Sequence, residues 1–392
     1  MEGKKETVTA AQICRPLKTS KGSFAVSHPG MLLGDEGLHW LDSGRLDQML
    51  QEAGEGRKET PLYTARNTAW MDEKTWQKRD SYWRDWMGRK KRVHLLALGD
   101  VGSTVLIGLK LLGQDCIQKI GICDLDEKVC RRWECEMNQT AFPWEYDRLP
   151  SVETVDTEHL FDCDLFVFCA SKGIPPVGSK VQDVRMAQFE ANRAIVGNFA
   201  KMARRKKFEG VFAVVSDPVD PLCKAAFLAS NEDEEGNFDG KGLLPEQIQG
   251  YGLGVMNARA AYYAKQDSKY EDFLTQGRAF GPHGQDLVIA NSIDHYDDER
   301  SRELTKLTVE ANLRTRELGF KPYIAPALSS AAISLILTME GKWHYSSNFL
   351  GGIYMGSRNR YTPEGLEIES LPLPQALYER LEKAFKGLEE VL

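Results

Sequence analysis

The sequence lacks an uninterrupted apolar run of membrane-spanning length. Its longest apolar stretch, Ile324 to Met339, is broken by Pro326 and three serines and is too short to cross a bilayer, so it reads as a buried helix. The opening residues, MEGKKETVTAAQ, lack the apolar segment of a secretory signal. Positive charge is not in excess: 50 Lys and Arg against 57 Asp and Glu leave a net charge of -7, which gives no electrostatic reason to expect a nucleic acid partner. Cysteines are sparse, eight in 392 residues, and Cys123, Cys163 and Cys169 fall on stretches expected to be buried. That usage fits reduced thiols and a cytoplasmic location. Cys130 and Cys135 have no matching second pair, so a zinc site is not expected. Internal repeats and low-complexity tracts are also missing. What remains is ordinary globular material: 42% hydrophobic residues and a length that fits two domains plus an appendage.

One stretch is strongly organised. From Arg92 to Asp124 an apolar run (Val93 to Leu98) ends in a glycine turn, an apolar-faced helix follows, and a second apolar run (Ile120 to Cys123) closes on Asp124. This is the sequence form of a β-α-β unit that binds a dinucleotide. The turn reads A-x-G-x-x-G, with Ala97 in the first glycine position and Gly99, Val101 and Gly102 completing it. Gly99 would let the backbone approach a pyrophosphate, Gly102 would let helix pack on strand, and the amides at the helix start would face the anion. Asp124 would accept ribose hydroxyls and repel a 2′-phosphate, which selects NAD over NADP.

The remaining pattern builds around this unit. Residues 1–90 form an N-terminal extension expected to be mainly helical or irregular, with a short helix at Leu46 to Glu52 and a longer one at Met71 to Arg89. Trp76, Trp83 and Trp86 share one helical face, which suits docking on the rest of the protein or on a second subunit, with a lid as the sharper alternative. After Asp124 a helix spans Glu127 to Asn138. Strands follow at Leu165 to Cys169, Gly210 to Val215 and Gln247 to Gly252, and a polar loop lies at Ser230 to Gly242. Strands alternating with helices predict an α/β fold, a Rossmann-type doubly wound parallel sheet over residues 91–254, and residues 255–392 are expected to form a second, α+β domain. Ligands of such sheets sit at the carboxyl ends of the strands, where Cys169, Ala170 and Asp217 fall. Pro374 to Leu392 reads as a closing amphipathic helix with Leu377, Leu381, Phe385 and Leu388 on one stripe.

From Arg92 onward, about three quarters of the chain, the sequence resembles the lactate/malate dehydrogenase family. Ser216-Asp217-Pro218-Val219-Asp220 resembles that family's S-N-P-V-D, and Gly250 to Arg259 its G-x-G-x-x-L-D-x-x-R. Gly281-Pro282-His283-Gly284 resembles its G-E-H-G, and Phe349 to Tyr354 its exposed strand-turn before the last strand pair. The resemblance implies NAD-dependent hydride transfer at C2 of a 2-hydroxy acid, and assembly as a homodimer or homotetramer. It implies His283 as acid/base, Arg259 as the bidentate clamp on the substrate carboxylate, and Arg185 as the loop arginine that polarises the C2 carbonyl, with Lys180 as substitute for Arg185. Asp217 would touch both cofactor and substrate.

Two positions depart from the family. Met256 stands where the aspartate that orients the histidine belongs, and a thioether supplies neither a strong acceptor nor charge. Asp217 replaces an asparagine; a carboxylate there opposes a nearby anion, favours a cationic or hydroxylated group, or supports His283 electrostatically. The loop from Lys172 to Arg185 has no arginine before Arg185, which disfavours a second substrate carboxylate and points to a monocarboxylic 2-oxo acid. Three alternatives stand beside the dehydrogenase: a catalytically silent NAD-binding structural or regulatory subunit, imine reduction in which Asp217 meets an amine, and redox-assisted glycoside hydrolysis with Cys223 as a metal ligand.

Overall fold

The computed structural model describes residues 14–16, 23–26, 36–45, 48, 62–67, 73–172, 184–284, 286–362 and 365–392. Three strands lie early in the chain, β1 (Cys14–Pro16), β2 (Ser23–Val26) and β3 (Leu62–Asn67), and a helix, α1 (Glu73–Gly88), follows them. The glycine turn then sits where it is expected, between β4 (Lys91–Leu96) and α2 (Asp100–Leu112), and β5 (Ile117–Cys123) ends one residue before Asp124. Next come α3 (Glu127–Asn138), β6 (Ser151–Thr154), β7 (Leu165–Phe168), α4 (Val184–Arg205), β8 (Val211–Val214), α5 (Val219–Ser230) and β9 (Ile248–Gly250).

Six of these strands run parallel in the spatial order β6-β5-β4-β7-β8-β9. The order reverses between β4 and β7, and the crevice outside the carboxyl ends at that reversal is where a doubly wound sheet takes its ligand. Alternation along the central strands separates two cores. Val93, Leu95, Leu165, Val167, Val211 and Ala213 face one side, against Val105, Leu106 and Leu109 of α2. Leu96, Phe166, Phe168, Phe212 and Val214 face the other, against α4 and α5. Apolar residues on both faces of every central strand are what burial beneath two helical layers requires.

The second half is α+β. Helix α6 (Leu253–Ala264) packs against the hairpin of β10 (Arg278–Phe280) and β11 (Val288–Ala290) and against α7 (Asp298–Glu317). Wide π-type turns over Pro326–Ile333 lead into α8 (Ser334–Met339), which fits the buried helix expected there. Strands β12 (His344–Phe349), β13 (Tyr354–Thr362) and β14 (Gly365–Glu369) form an antiparallel meander, and α9 (Gln375–Glu389) buries Leu377, Leu381, Phe385 and Leu388. β12 pairs antiparallel with β9 through Ser347 and Gly250, so one twelve-stranded sheet runs from β6 to β1.

The segment before residue 91, expected to be mainly helical or irregular, also contributes strands. Among its described residues β3 pairs antiparallel with β14 and parallel with β2. Its partner β14 lies at the far end of the chain, so local pattern could not reveal the ladder. The turn at Phe349 to Tyr354 is not exposed: Leu350 and Ile353 are buried, and Gly37 packs so closely on it that a Cβ there would lie 1.8 Å from the Leu350 carbonyl oxygen. The short helix expected at residues 46–52 falls mostly outside the described residues. Helix α1 is docked. Trp83 stacks on Tyr361 of β13 with centroids 4.8 Å apart, and Trp86 is buried beside it; the side chain of Trp76 lies outside the described residues.

Candidate active site

The glycine turn is built for close approach. Ala97, in the first glycine position, takes a left-handed backbone with φ of 73°. A Cβ on Gly102 would sit 1.9 Å from the Ala97 carbonyl oxygen, so the start of α2 can lie on the end of β4 only with glycine at 102. Gly99 differs. Among the described residues a Cβ there would meet nothing within 4 Å, so none of them demands a glycine and the turn presents an open face to them. No side chain caps α2, which leaves its first amides directed outward. Asp124 accepts from the Leu98 amide at 2.7 Å and from the Asp126 amide at 3.1 Å, which fixes its carboxylate beside the turn. An open glycine face, uncapped amides and an anchored acid fit a dinucleotide. Cys169 and Ala170 follow β7 on the other side of the crevice. The Ala170 carbonyl accepts from Ser216 Oγ at 2.7 Å, and Val101, in the first turn of α2, packs partly buried against the core.

A second group lies further along the same carboxyl edge. Asn192, fully buried on α4, ties the two parts together: its side chain accepts from the Lys172 amide at 2.9 Å and donates to the Asp217 carbonyl at 2.7 Å. Beyond it is a cavity of about 410 Å³ lined by Asp217, Asp220, Met256, His283, Asp286 and Asn312, among others. His283 stands at the tip of the β10–β11 hairpin. Its Nδ1 lies 2.9 Å from the Gly252 carbonyl oxygen at the start of α6, and its Nε2 lies 4.0 Å from Asp217 Oδ1. Gly252 is required, because a Cβ there would come within 2.7 Å of the His283 Cβ.

The missing aspartate is thus replaced by a backbone acceptor. Nδ1–H donating to the Gly252 carbonyl fixes the tautomer and leaves Nε2 toward the cavity, without any carboxylate at position 256. Met256 itself packs in the apolar cluster between α6 and the β10–β11 hairpin, with Val255, Tyr263 and Leu287. The Gly252 carbonyl has its own support: Ser330 Oγ donates to it at 2.6 Å and accepts from the Val255 amide at 2.8 Å. Asp220 acts from below. One of its oxygens accepts from the His283 amide at 3.2 Å and the other from Ser347 Oγ at 2.7 Å. Burial pushes the Asp220 carboxyl up to about 6.

Arg259, on the face of α6 that carries Met256, contacts Met256 Sδ at 3.7 Å and donates to Asn312 Oδ1. Both partners line the cavity. Burial holds its guanidinium below the usual arginine range, and among the described residues no carboxylate pairs with it. A half-buried guanidinium held only by neutral partners is an anion-seeking group. Arg185 lies in the first turn of α4, with its side chain outside the described residues, and Lys180 lies outside them altogether. Cys223 is fully buried with its thiol pushed well up, and it does not line the cavity, so it supplies no metal ligand there.

The structure therefore gathers His283, Asp217 and Met256 around one cavity, sets Arg259 against two of its walls, and places Gly99, Gly102, Asp124, Cys169 and Ala170 at the crevice between β4 and β7. Sequence reasoning missed Ser330, Asn312, Ser347 and the Gly252 carbonyl. Asp220 and Gly252 lay inside motifs, but nothing in those motifs marked their contacts with His283.

This combination defines a class: a Rossmann-fold protein whose second half presents a histidine and an arginine at the end of the parallel sheet. No family model matches the chain. Its sequence is 25% identical over 283 residues to a malate dehydrogenase of Sulfurimonas denitrificans, spanning 68% of this chain and 82% of that protein. It is 23% identical to an L-lactate dehydrogenase of Mycoplasma mobile over 58% of this chain and 64% of that one. Among solved structures, the malate dehydrogenase of Picrophilus torridus superposes with a TM-score of 0.62 at 18% identity, over 77% of this chain and 96% of the other. The malate dehydrogenase of Archaeoglobus fulgidus, solved with NADH, gives 0.60 at 16% identity, over 77% and 98%. The chain is similar in sequence to malate and lactate dehydrogenases and shares their fold.

Proposed function

We propose that the chain is an NAD-dependent oxidoreductase acting at C2 of a 2-hydroxy or 2-oxo acid, with residues 91–254 holding the dinucleotide and 255–392 the acid. The observation that carries this reading is the imidazole of His283, held through Nδ1 by a backbone carbonyl and directed through Nε2 into a cavity at the carboxyl edge of the sheet. In this reading Gly99, Val101, Gly102, Cys169 and Ala170 cradle the cofactor, and Asp124 takes the ribose hydroxyls. The nicotinamide, when bound, supplies or accepts the hydride.

His283 Nε2 then gives a proton to the C2 oxygen as the acid is reduced and removes it in the reverse direction. Arg259 binds the substrate carboxylate once its guanidinium exchanges a neutral partner for an anion, and the family resemblance assigns the polarisation of the C2 oxygen to Arg185. With no lysine or arginine among the described lining residues to take a second carboxylate, and Arg259 set behind Met256 and Asn312, a monocarboxylic acid is the favoured substrate. The relatives' names, malate and L-lactate dehydrogenase, support the reaction type. The test follows absorbance at 340 nm with NADH and a panel of 2-oxo acids. Turnover that His283→Asn abolishes while NADH affinity is kept supports the reading. Tight NADH binding with no turnover of any acid replaces it with a silent NAD-binding subunit.

A further inference from the structure

Asp217 sits where a ketone-reducing site is poorly served by an acid. Its Oδ1 is 4.0 Å from His283 Nε2, its side chain is half exposed, and it lines the same cavity. Any atom that exchanges a proton with Nε2 must come within about 3 Å of that nitrogen, and so falls under the Asp217 charge. Reduction of a C=O bond develops negative charge on that atom, which a carboxylate opposes. An iminium carries positive charge there, which a carboxylate attracts.

We propose that this cleft reduces 2-imino acids, a C=N bond beside a carboxylate, in preference to the corresponding 2-oxo acids. The inference rests on reading the cleft as a site of hydride transfer, and it goes beyond that reading by naming a different acceptor bond. Two further features favour it. The lining contributes Asp220 and Asp286 besides Asp217 and, among the described residues, no lysine or arginine. The acceptor behind His283 is the neutral Gly252 carbonyl rather than a carboxylate, so the hydrogen-bond partner of Nδ1 brings no charge to stabilise an imidazolium. A protonated imine brings its own proton and needs no charged donor. Arg259 keeps its part, the clamp on the carboxylate.

The reaction balances. Hydride adds to C2 and forms the new C–H bond, the π pair of the C=N bond becomes the nitrogen lone pair, and the nicotinamide is oxidised. The resulting amine takes one proton, through His283 Nε2 or from water, and leaves as an ammonium acid.

The test uses the full chain with NADH and three probes: pyruvate, pyruvate with excess methylamine, and a six-membered cyclic 2-imino acid. The expected kcat/KM for the cyclic imino acid is at least tenfold above that for pyruvate, and Asp217→Asn is expected to reverse the order. A second readout needs no turnover. The saturated cyclic 2-amino acid should raise the Tm of the native chain more than a 2-hydroxy acid of similar size does, and Asp217→Asn should remove that difference. Pyruvate turned over as fast as the imino acid overturns the proposal and leaves the 2-oxo acid reading intact. Imine reduction unaffected by Asp217→Asn overturns the role of Asp217. Neither turnover nor binding with any probe removes both readings.

Discussion

Ser330 Oγ donates a 2.6 Å hydrogen bond to the Gly252 carbonyl oxygen, the same oxygen that lies 2.9 Å from His283 Nδ1. One buried hydroxyl therefore aims the acceptor that aims the imidazole. Ser330→Ala is expected to lower kcat about tenfold with little change in KM, on the scale of one hydrogen bond of about 1 kcal/mol. Ser330→Thr, which keeps the hydroxyl, should recover most of the loss. Steady-state kinetics on the two variants measure the split, and an equal fall in both would reduce Ser330 to packing.

The two glycines of the turn should separate cleanly. Gly102→Ala drives a Cβ to 1.9 Å from the Ala97 carbonyl oxygen and is expected to cost about 2 kcal/mol of stability along with NADH affinity. Gly99→Ala places its methyl in open space, so urea denaturation should find stability within about 0.5 kcal/mol of the native chain. NADH titration of the same variant should find at least tenfold weaker binding. Unchanged affinity for Gly99→Ala would mean that no pyrophosphate approaches this face.

Two buried groups should give stability opposite dependences on acid. Burial lowers His344 from 6.5 to about 4, so the folded state holds fewer protons than the unfolded chain between those values. Its contribution is present in full above about pH 6.5 and is lost as pH falls toward 4, by about 3 kcal/mol. Burial raises Asp220 from 3.8 to about 6, so its contribution is present below pH 4 and is lost as pH rises through 6, by a similar amount. Urea denaturation from pH 4 to 7 should show His344→Gln flattening the acid-side loss. In Asp220→Asn the difference from the native chain should run the other way. Parallel curves for all three proteins would contradict both assignments.

The stacked pair Trp83 and Tyr361, with 11° between ring planes, joins α1 to β13. Trp83→Ala should cost about 3–5 kcal/mol in urea denaturation and leave activity per folded molecule unchanged. A selective loss of activity would instead support the lid that the tryptophan spacing left open.

What the sequence made legible was local or periodic. The β4–α2–β5 unit announced itself because strand, turn, helix and acid are contiguous, and the Leu377, Leu381, Phe385 and Leu388 stripe because a helix repeats every few residues. Long-range backbone pairing was not legible: β3 pairs with β14 across most of the chain. The same holds for the acceptor of His283. Met256 appeared to remove its orienting partner, but the replacement is a main-chain oxygen, which every residue carries and no residue type betrays. Ser330 and Asn312 escaped for a related reason. Serine and asparagine are common on buried polar contacts, and neither stood in a quoted motif.

Helix α1 grips the protein at both ends of its docked face. Just past it, Arg89 forms a two-pronged ion pair with Asp164, at 2.7 and 2.6 Å, at the foot of β7 in the parallel half of the sheet. Trp83, one and a half turns earlier, lies on β13 in the other half. A rigid rod pinned to both lobes works as a strut. Scissoring of one half of the sheet over the other would have to break either the ion pair or the stack.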